Sequence, residues 1–517
     1  MKSPQVQLAN IALIIVLIAG VFFRLYNLTH KAFWLDEAHT AASMAGTDYG
    51  KQDFFPAGKP IEAGKILSSY QQLNRRSGLS GMIDALAHEP VQHAPFFYIL
   101  LYAWLSAIGS SLLTMRLLPA LISLLQLPAT YWFCLELWGT PAIAALAMAL
   151  MALSPLEVVY AQQAREYSLY VVAVLLACAS FLKAMRLQTL KLWGLYCGCL
   201  ILALNTSLLT MFSVFAHFVY ILIRKRAGAA KTLLRFLGSL SIALCTCLPW
   251  LTFYGQHLDV EMGIKSSPQN MPYFDLFKSW CLNFSCSFFD VGHYDFRSVQ
   301  VLTAIVLLIE VCALFVVWLR SKRTAAFLLI IIAMNVLPVI AHDIIFPTQR
   351  SAQVRYQLPA MIAILVGVAY AIKASTLDKV IWRRNATLLL ATCLIFSELV
   401  SCIANSQATL WRTQTYKLHD LIKVANVLNQ DNGTVLLVSD MHDLLNQIQF
   451  LCLSHQLRPQ TWLELVAKPG LPTLPEGTSH FFLYNVSPEL KSYLASSGRY
   501  TLNTVDGMDY LVRVDPK

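Results

Sequence analysis

The sequence predicts an α-helical polytopic membrane protein with a small α/β domain at its C-terminal end. Three observations support this fold class. Of the 517 residues, 57% are hydrophobic and only 13% are charged, more apolar surface than a water-soluble chain can bury. Apolar stretches of about 18 or more residues, long enough to cross a hydrocarbon layer as a helix, recur along the chain. From about residue 404 the composition becomes that of a soluble domain.

The first apolar stretch, residues 8–28, follows a single lysine and lacks a small-residue cleavage pattern. We therefore expect a retained anchor with a cytoplasmic N-terminus. A polar segment leads to an apolar run at residues 93–109, whose length is marginal for a crossing. Further spans are expected near residues 115–135, 140–157, 167–183, 191–205, 207–223, 235–253, 299–319, 325–345, 354–372 and 385–403.

The basic residues of the loops indicate whether residues 93–109 cross the membrane. If they do not, the cytoplasmic loops hold fifteen Lys and Arg residues and the matching external loops hold six. A crossing would invert this ratio, against the tendency of basic residues to remain in the cytoplasm. We therefore expect an external interfacial or re-entrant helix there, about 11 transmembrane helices in total, and an external C-terminus. The net charge of +10 follows from these loops and does not indicate nucleic-acid binding.

Two domains are expected. Residues 1–403 form the transmembrane domain, in which residues 29–114 make a first external loop with interfacial helices. Residues 404–517 form a soluble external domain, with strands at TVLLVSD, at HFFLY (480–484) and at DYLVRV, and with helices after the first strand to about Cys452 and at 487–496. The hydropathy pattern contains no inverted repeat, which counts modestly against a secondary transporter.

Four external segments carry polar side chains that could line one cavity. These are Asp36 and Glu37; His88, Glu89 and His93; Gln162, Gln163, Arg165 and Glu166; and Arg350, Arg355 and Tyr356. Each group also has a plain structural interpretation. In the same order, these are a helix-capping pair, surface histidines, an interfacial ion pair and anchors to lipid headgroups. Glu310, near the middle of a span, is costly there and is expected to be paired or to face a polar interior.

Five motifs in a fixed order carry a family resemblance. They are RLYN with FWLDEAHT, EPVQHAPFFYILLYAWLSAIGSSLLTMRLLPAL, LSPLEVVYAQQAREYSLY, LPWL and VRYQLPAM, spread over residues 10–403. This order resembles that of bacterial membrane glycosyltransferases related to protein O-mannosyltransferases and to the lipid A aminoarabinose transferase. The resemblance implies the C-type glycosyltransferase fold in the bacterial cytoplasmic (inner) membrane. It also implies a polyprenyl-phosphate sugar donor and an acceptor in the cell envelope, a protein, lipid or glycan glycosylated on the external, periplasmic face.

The resemblance also implies roles for residues. Asp36 is the expected catalytic carboxylate with Glu37 beside it, and Arg355 and Tyr356, near Arg350, map to the donor-phosphate site. The remaining polar residues, His88, Glu89, His93, Gln163, Arg165 and Glu166, are expected to line the substrate cavity. Some relatives use a divalent metal and others do not, so no cofactor is assigned. A carboxylate that accepts the proton of an attacking hydroxyl, with arginine holding the leaving phosphate, gives a single displacement with inversion.

Two positions depart from the family pattern, and two other functions stay open. Thr206 and Ser207 occupy a turn where many relatives carry a histidine, and His93-Ala94-Pro95 replaces a usual His-Pro-Pro, so donor or acceptor choice can differ. A transporter or lipid flippase would instead depend on mid-membrane charges such as Glu310. A structural membrane protein or an inactive relative, with the C-terminal domain as a docking module, is the third possibility.

Overall fold

The structure is a computed structural model that describes most of the chain. The described residues are 4–47, 55–87, 93–224, 228–255, 271–291, 296–346, 348–376, 379–411, 415–441, 444–466, 470–478 and 480–517. The predictions for His88 and Glu89 lie outside these residues.

Helices dominate the fold. They are Pro4–Leu25 (α1), Leu35–Ala45 (α2), Ala63–Tyr70 (α3), Gly78–Leu86 (α4), Phe96–Ile108 (α5), Leu112–Ser123 (α6), Gln126–Trp138 (α7), Pro141–Leu153 (α8), Pro155–Ala161 (α9), Tyr167–Leu187 (α10), Leu190–Thr206 (α11), Thr210–Ile223 (α12), Ala229–Gly255 (α13), Tyr273–Ser285 (α14), Phe296–Arg320 (α15), Lys322–Ile345 (α16), Leu358–Thr376 (α17), Ile381–Gln407 (α18), Thr415–Gln430 (α19), Leu444–Ser454 (α20) and Pro488–Ser496 (α21). Two 3₁₀ turns, Arg350–Ala352 and Val354–Gln357, precede α17. Helices α10 and α17 are largely buried at the centre of the apolar bundle.

The helices confirm a multi-pass membrane fold. Within the described ranges, seven helices are long and apolar enough to cross a membrane, or eight if the bent pair α8 and α9 counts as one span. Shorter apolar helices include Asn10–Leu25, α11 and α12, so a helix lies at each stretch expected to cross; the number of crossings stays a prediction. Helix α5 has 13 residues, about 20 Å of helix, which agrees with an interfacial position.

One span is broken at Ser154–Pro155, where α8 and α9 meet at 58°. Proline lacks an N–H and its ring clashes with the preceding turn, so the helix bends there. The buried guanidinium of Arg24 donates to the carbonyls of Met151, at 2.8 Å, and of Ala152. Since lipid offers no hydrogen bonds to such carbonyls, Arg24 stabilises the break. The bend brings residues 162–166 beneath α2.

Helix α2 places Asp36 and Glu37 in its first turn, where the positive end of the helix dipole favours carboxylates. It follows Trp34, whose backbone is extended, and ends at Gly46 with φ +69°. That left-handed conformation is one that glycine adopts without strain. The loop between α1 and α6 thus presents an acidic helix N-terminus to the bundle.

The C-terminal residues form the expected α/β unit, with one unexpected strand. The strands are Ile61–Glu62 (β1), Leu436–Asp440 (β2), Trp462–Val466 (β3), Phe481–Tyr484 (β4), Tyr500–Val505 (β5) and Met508–Pro516 (β6), in the sheet order β1-β3-β2-β4-β6-β5. Strands β2 and β3 are parallel, and β1 pairs antiparallel with β3. Because β1 belongs to the loop between α1 and α6, the sheet is built from both segments that the sequence assigned to separate domains.

Candidate functional site

Asp36 and Arg355 form an ion pair, although 319 positions separate them in the chain. Nη1 of Arg355 lies 2.5 Å from Oδ2 of Asp36, and the hydroxyl of Tyr167 donates to the same oxygen at 3.0 Å. The side chains remain 13% and 19% exposed for Asp36 and Arg355 respectively. Both described contacts of the carboxylate end on Oδ2, so Oδ1 is the oxygen left for a substrate.

The environment of Asp36 keeps the carboxylate ionised. Burial raises the pKa of Asp36, but the positive charges of Arg355 and Arg165, with smaller effects of His39 and His93, outweigh burial and lower the pKa below the usual 3.8. An ionised carboxylate can accept a proton, although the neighbouring guanidinium weakens it as a base. Loss of the Arg355 contact would therefore strengthen Asp36 as a proton acceptor.

Arg165, Glu166 and His93 form a buried polar cluster next to this pair. Oε1 of Glu166 lies 2.7 Å from Nδ1 of His93, and Oε2 accepts a hydrogen bond from the hydroxyl of Tyr98 at 3.0 Å. Arg165 places Nη2 at 3.0 Å from Nε2 of His93 and donates through Nη1 to the carbonyl of Asp36. Burial raises the pKa of Glu166, but His93 and Arg165 reverse this and hold the pKa well below 4.5.

Glu37 differs from Asp36 because its carboxylate is fully enclosed. Nε and Nη2 of Arg116 bind it in a bidentate pair at 2.8 and 2.6 Å, and the N–H of Ala164 donates to Oε1 at 3.1 Å. Arg116 also donates to the carbonyls of Leu28 and Lys31. These contacts tie α2 to α6 and to the segment after α9. The catalytic role of Glu37 stays a prediction, and its contacts favour a positioning role.

A small cleft with a volume of about 10 Å³, room for about one water molecule, lies beside the cluster. Its lining residues are His93, Glu166, Tyr167, Tyr170, Ser207, Leu209, Arg355 and Tyr356. The guanidinium of Arg355 lies 5.4 Å above the ring of Tyr356, a cation–π arrangement. Ser207 forms an isolated β-bridge with His93. The cleft is thus lined by a guanidinium, an imidazole, hydroxyls and aromatic rings, together with the carboxylate of Glu166.

The structure brings together most of the residues singled out from the sequence. Asp36, His93, Arg165, Glu166, Arg355 and Tyr356 meet at one end of the bundle. Gln163 is buried, and its Oε1 has no hydrogen-bond partner among the described residues. Arg350 is exposed, and its described contact is the hydrogen bond from its backbone N–H to Asp343.

Sequence reasoning missed three residues that shape the site: Tyr98, Arg116 and Tyr167. Arg116 carried a usable signal, because an arginine inside an apolar stretch needs a buried partner. Tyr98 stands among apolar neighbours and Tyr167 lies between Glu166 and Ser168, and a neutral tyrosine in either place offered no such signal. Only the folded arrangement shows that their hydroxyls donate to Glu166 and Asp36.

The donor set does not fit a divalent metal. Hard cations bind several oxygen ligands at once, but Glu37 and Glu166 are bound by Arg116 and by His93. The position beside Oδ2 of Asp36 is filled by the guanidinium of Arg355. Within the residues that the structure describes, no group of three or more His, Cys, Asp or Glu side chains could hold a metal ion.

Comparison with solved structures identifies the fold. The crystal structure of ArnT from Cupriavidus metallidurans in the apo state covers 99% of this chain and 98% of its own, with 13% identity and a TM-score of 0.52. The same protein bound to undecaprenyl phosphate covers 98% and 97%, with 14% identity and a TM-score of 0.50. No protein-family model and no curated protein matches the sequence. The chain has the fold of ArnT over nearly its whole length, which confirms the C-type membrane-transferase fold implied by its motifs.

Proposed function

We propose that the protein transfers a sugar from a polyprenyl-phosphate donor to an envelope acceptor on the external face of the bacterial cytoplasmic membrane. The observation that carries this proposal is the Asp36–Arg355 pair at the edge of the cleft. Asp36 supplies a proton acceptor and Arg355 supplies a phosphate-binding cation, and the reaction requires both. The undecaprenyl phosphate of one ArnT crystal structure supports the donor class.

In this mechanism Arg355 binds the donor phosphate with its planar fork of N–H groups, with Tyr356 supporting the guanidinium. The phosphate competes with Asp36 for Arg355, so the contact that weakens Asp36 as a base is relieved when the donor binds. Oδ1 of Asp36 accepts the proton of the acceptor hydroxyl as its oxygen attacks the anomeric carbon. The bond to the phosphate oxygen breaks, the polyprenyl phosphate leaves, and the configuration inverts.

Bound lipids test the donor class directly. We expect mass spectrometry of the protein purified in mild detergent to detect a polyprenyl phosphate or its sugar-bearing form, and Arg355→Ala to lose it. Lys278→Ala is the matched control, because Lys278 pairs with Asp275 on α14 outside the site. Arg355→Lys keeps the positive charge if the alanine variant fails to fold. Equal recovery of the polyprenyl phosphate from all of these proteins would contradict the proposal.

Transport remains the alternative, and Glu310 is its main support. The residue lies in α15, is 4% exposed, and its Oε1 has no hydrogen-bond partner among the described residues. A transport pathway needs polar groups that continue across the membrane. The cluster around Asp36 lies instead at the end of the bundle that joins the sheet, which favours transfer.

A further inference from the structure

The turn that leads to Arg355 is held by one buried carboxylate, that of Asp343. Its side chain, in the last turn of α16, is 0% exposed. Oδ2 accepts hydrogen bonds from the N–H and the hydroxyl of Ser351, each at 2.6 Å. Oδ1 accepts one from the N–H of Arg350 at 3.1 Å and one from the hydroxyl of Thr348. Four donors therefore end on two oxygens.

This arrangement requires a carboxylate. The C-terminal end of a helix carries a partial negative charge, so an acidic residue in its last turn is unfavourable. Burial of the charge adds a further cost, which only close donors offset. An ionised carboxylate accepts at both oxygens, whereas an amide would turn its NH₂ group toward two of the same donors. The two oxygens of Asp343 thus fit the donors of the turn, whereas a carboxylate at this position does not stabilise α16 itself.

The turn connects Asp343 to the phosphate-binding arginine. The hydroxyl of Ser351, which donates to Asp343, also accepts a hydrogen bond from Nε1 of Trp280 at 2.9 Å, and the carbonyl of Ser351 accepts one from Nε2 of Gln357 at 3.0 Å. Gln357 closes the 3₁₀ turn Val354–Gln357, which contains Arg355. The backbone around Arg355 is therefore fixed at Ser351 by groups from α14, from α16 and from its own turn.

We infer that Asp343 is a positioning residue for the donor-phosphate site, acting through Ser351 on the placement of Arg355. This inference rests on the proposed function, because it assigns to Arg355 the phosphate of a polyprenyl-phosphate donor. Asp343 touches neither the cleft residues nor Asp36 in the contacts described. Its effect is on phosphate affinity, through the geometry of a guanidinium several residues away.

The test is a titration of the purified protein with undecaprenyl phosphate. We expect Asp343→Asn to weaken binding roughly 10- to 100-fold, the scale of a displaced binding group. Asp275→Asn, the matched control on α14, is expected to bind as the wild type does, because Asp275 pairs only locally with Lys278. The double variant Asp343→Asn with Arg355→Ala is expected to bind no more weakly than Arg355→Ala alone, since residues acting through one contact are not additive.

The outcomes separate the inference from the proposed function. If the wild type does not bind undecaprenyl phosphate, the proposed function fails. If the wild type binds and Asp343→Asn binds equally well, or if the losses in the double variant multiply, only the positioning role of Asp343 is overturned. If thermal unfolding shows that Asp343→Asn is not folded, the same titration with Ser351→Ala tests the inference. Ser351→Ala removes the hydroxyl that donates to Asp343 and accepts from Trp280 but keeps the backbone N–H that donates to Asp343, so a smaller loss of affinity in the same direction is expected.

Discussion

The acidic residues of the site have different surroundings, and these assign them different tasks. Glu37 is enclosed by Arg116 and Ala164, so it holds α2 in place. Glu166 is buried against His93 and Tyr98. Glu166 lines the cleft with its partner His93, but its side chain is only 4% exposed, whereas the side chain of Asp36 is 13% exposed and its partner Arg355 lines the same cleft. The assignment of Asp36 as the base therefore rests on access and not on acidity alone.

The cluster around Glu166 predicts a pH-dependent stability. His93 and Arg165 outweigh burial and lower the pKa of Glu166 below 4.5. A depressed carboxyl pKa contributes stability above the unfolded value, and this contribution is lost as the pH falls through the folded value. We therefore expect Glu166→Gln to lower the apparent Tm at pH 7, and its difference from the wild type to shrink progressively below about pH 4.5. Thermal unfolding in detergent measures the difference in Tm at pH 7 and its change with pH.

The exposed Glu476 provides the control for this prediction. Glu476→Gln is expected to follow the wild type at every pH, because its carboxylate is in solvent. A Glu166→Gln difference that stays constant from pH 7 to pH 4 would contradict the electrostatic interpretation, leaving only a packing effect.

At the scale of the elements, the close approach of α1 to the broken span positions the segment that carries Arg165. Arg24 of α1 binds the carbonyls freed at the break, and one of its nitrogens also donates to the carbonyl of Gly20 at 3.1 Å. A Cβ atom at Gly20 would lie 2.4 Å from the carbonyl oxygen of Ala152. Only glycine permits this distance between the two helices.

Gly20→Ala is accordingly expected to lower stability by about 1–3 kcal/mol, the usual cost of overpacking. Gly198→Ala is the matched control, because a Cβ atom at Gly198 meets nothing within 4 Å among the described residues and alanine is the better helix former. The apparent Tm of each variant, compared with that of the wild type, tests this prediction. Equal Tm values for the two variants would show that the approach of α1 is not a constraint.

At the scale of the whole molecule, the loop between α1 and α6 and the C-terminal segment form one body. Strand β1 pairs with β3, and a continuous apolar core joins residues such as Phe33, Ile66, Leu451 and Leu463. The rings of Phe33 and His455 have centroids 3.8 Å apart. The α/β domain therefore packs directly against the loop that bears Asp36, and it helps to fix α2 over the bundle.

The sequence predicted the elements better than their association. Apolar length located the spans, and strands β2, β4 and β6 with α20 and α21 lie where they were expected. The two-residue strand β1 carries no pattern of its own, because its partner lies about 400 positions away. Strands β3 and β5 also went unpredicted. The convergence of the external polar residues was predicted from topology, whereas the pairing of Asp36 with Arg355 depends on tertiary contacts that only the fold supplies.

The most direct test of Asp36 as the catalytic base is the rate at which membranes containing the protein consume glycosyl polyprenyl phosphates. Mass spectrometry follows these lipids whichever sugar they carry. We expect Asp36→Asn to fold as the wild type does and to slow this consumption by roughly 100-fold or more, because general-base help is removed. An Asp36→Asn variant that consumes the donor as fast as the wild type would contradict the assignment of Asp36 as the catalytic base.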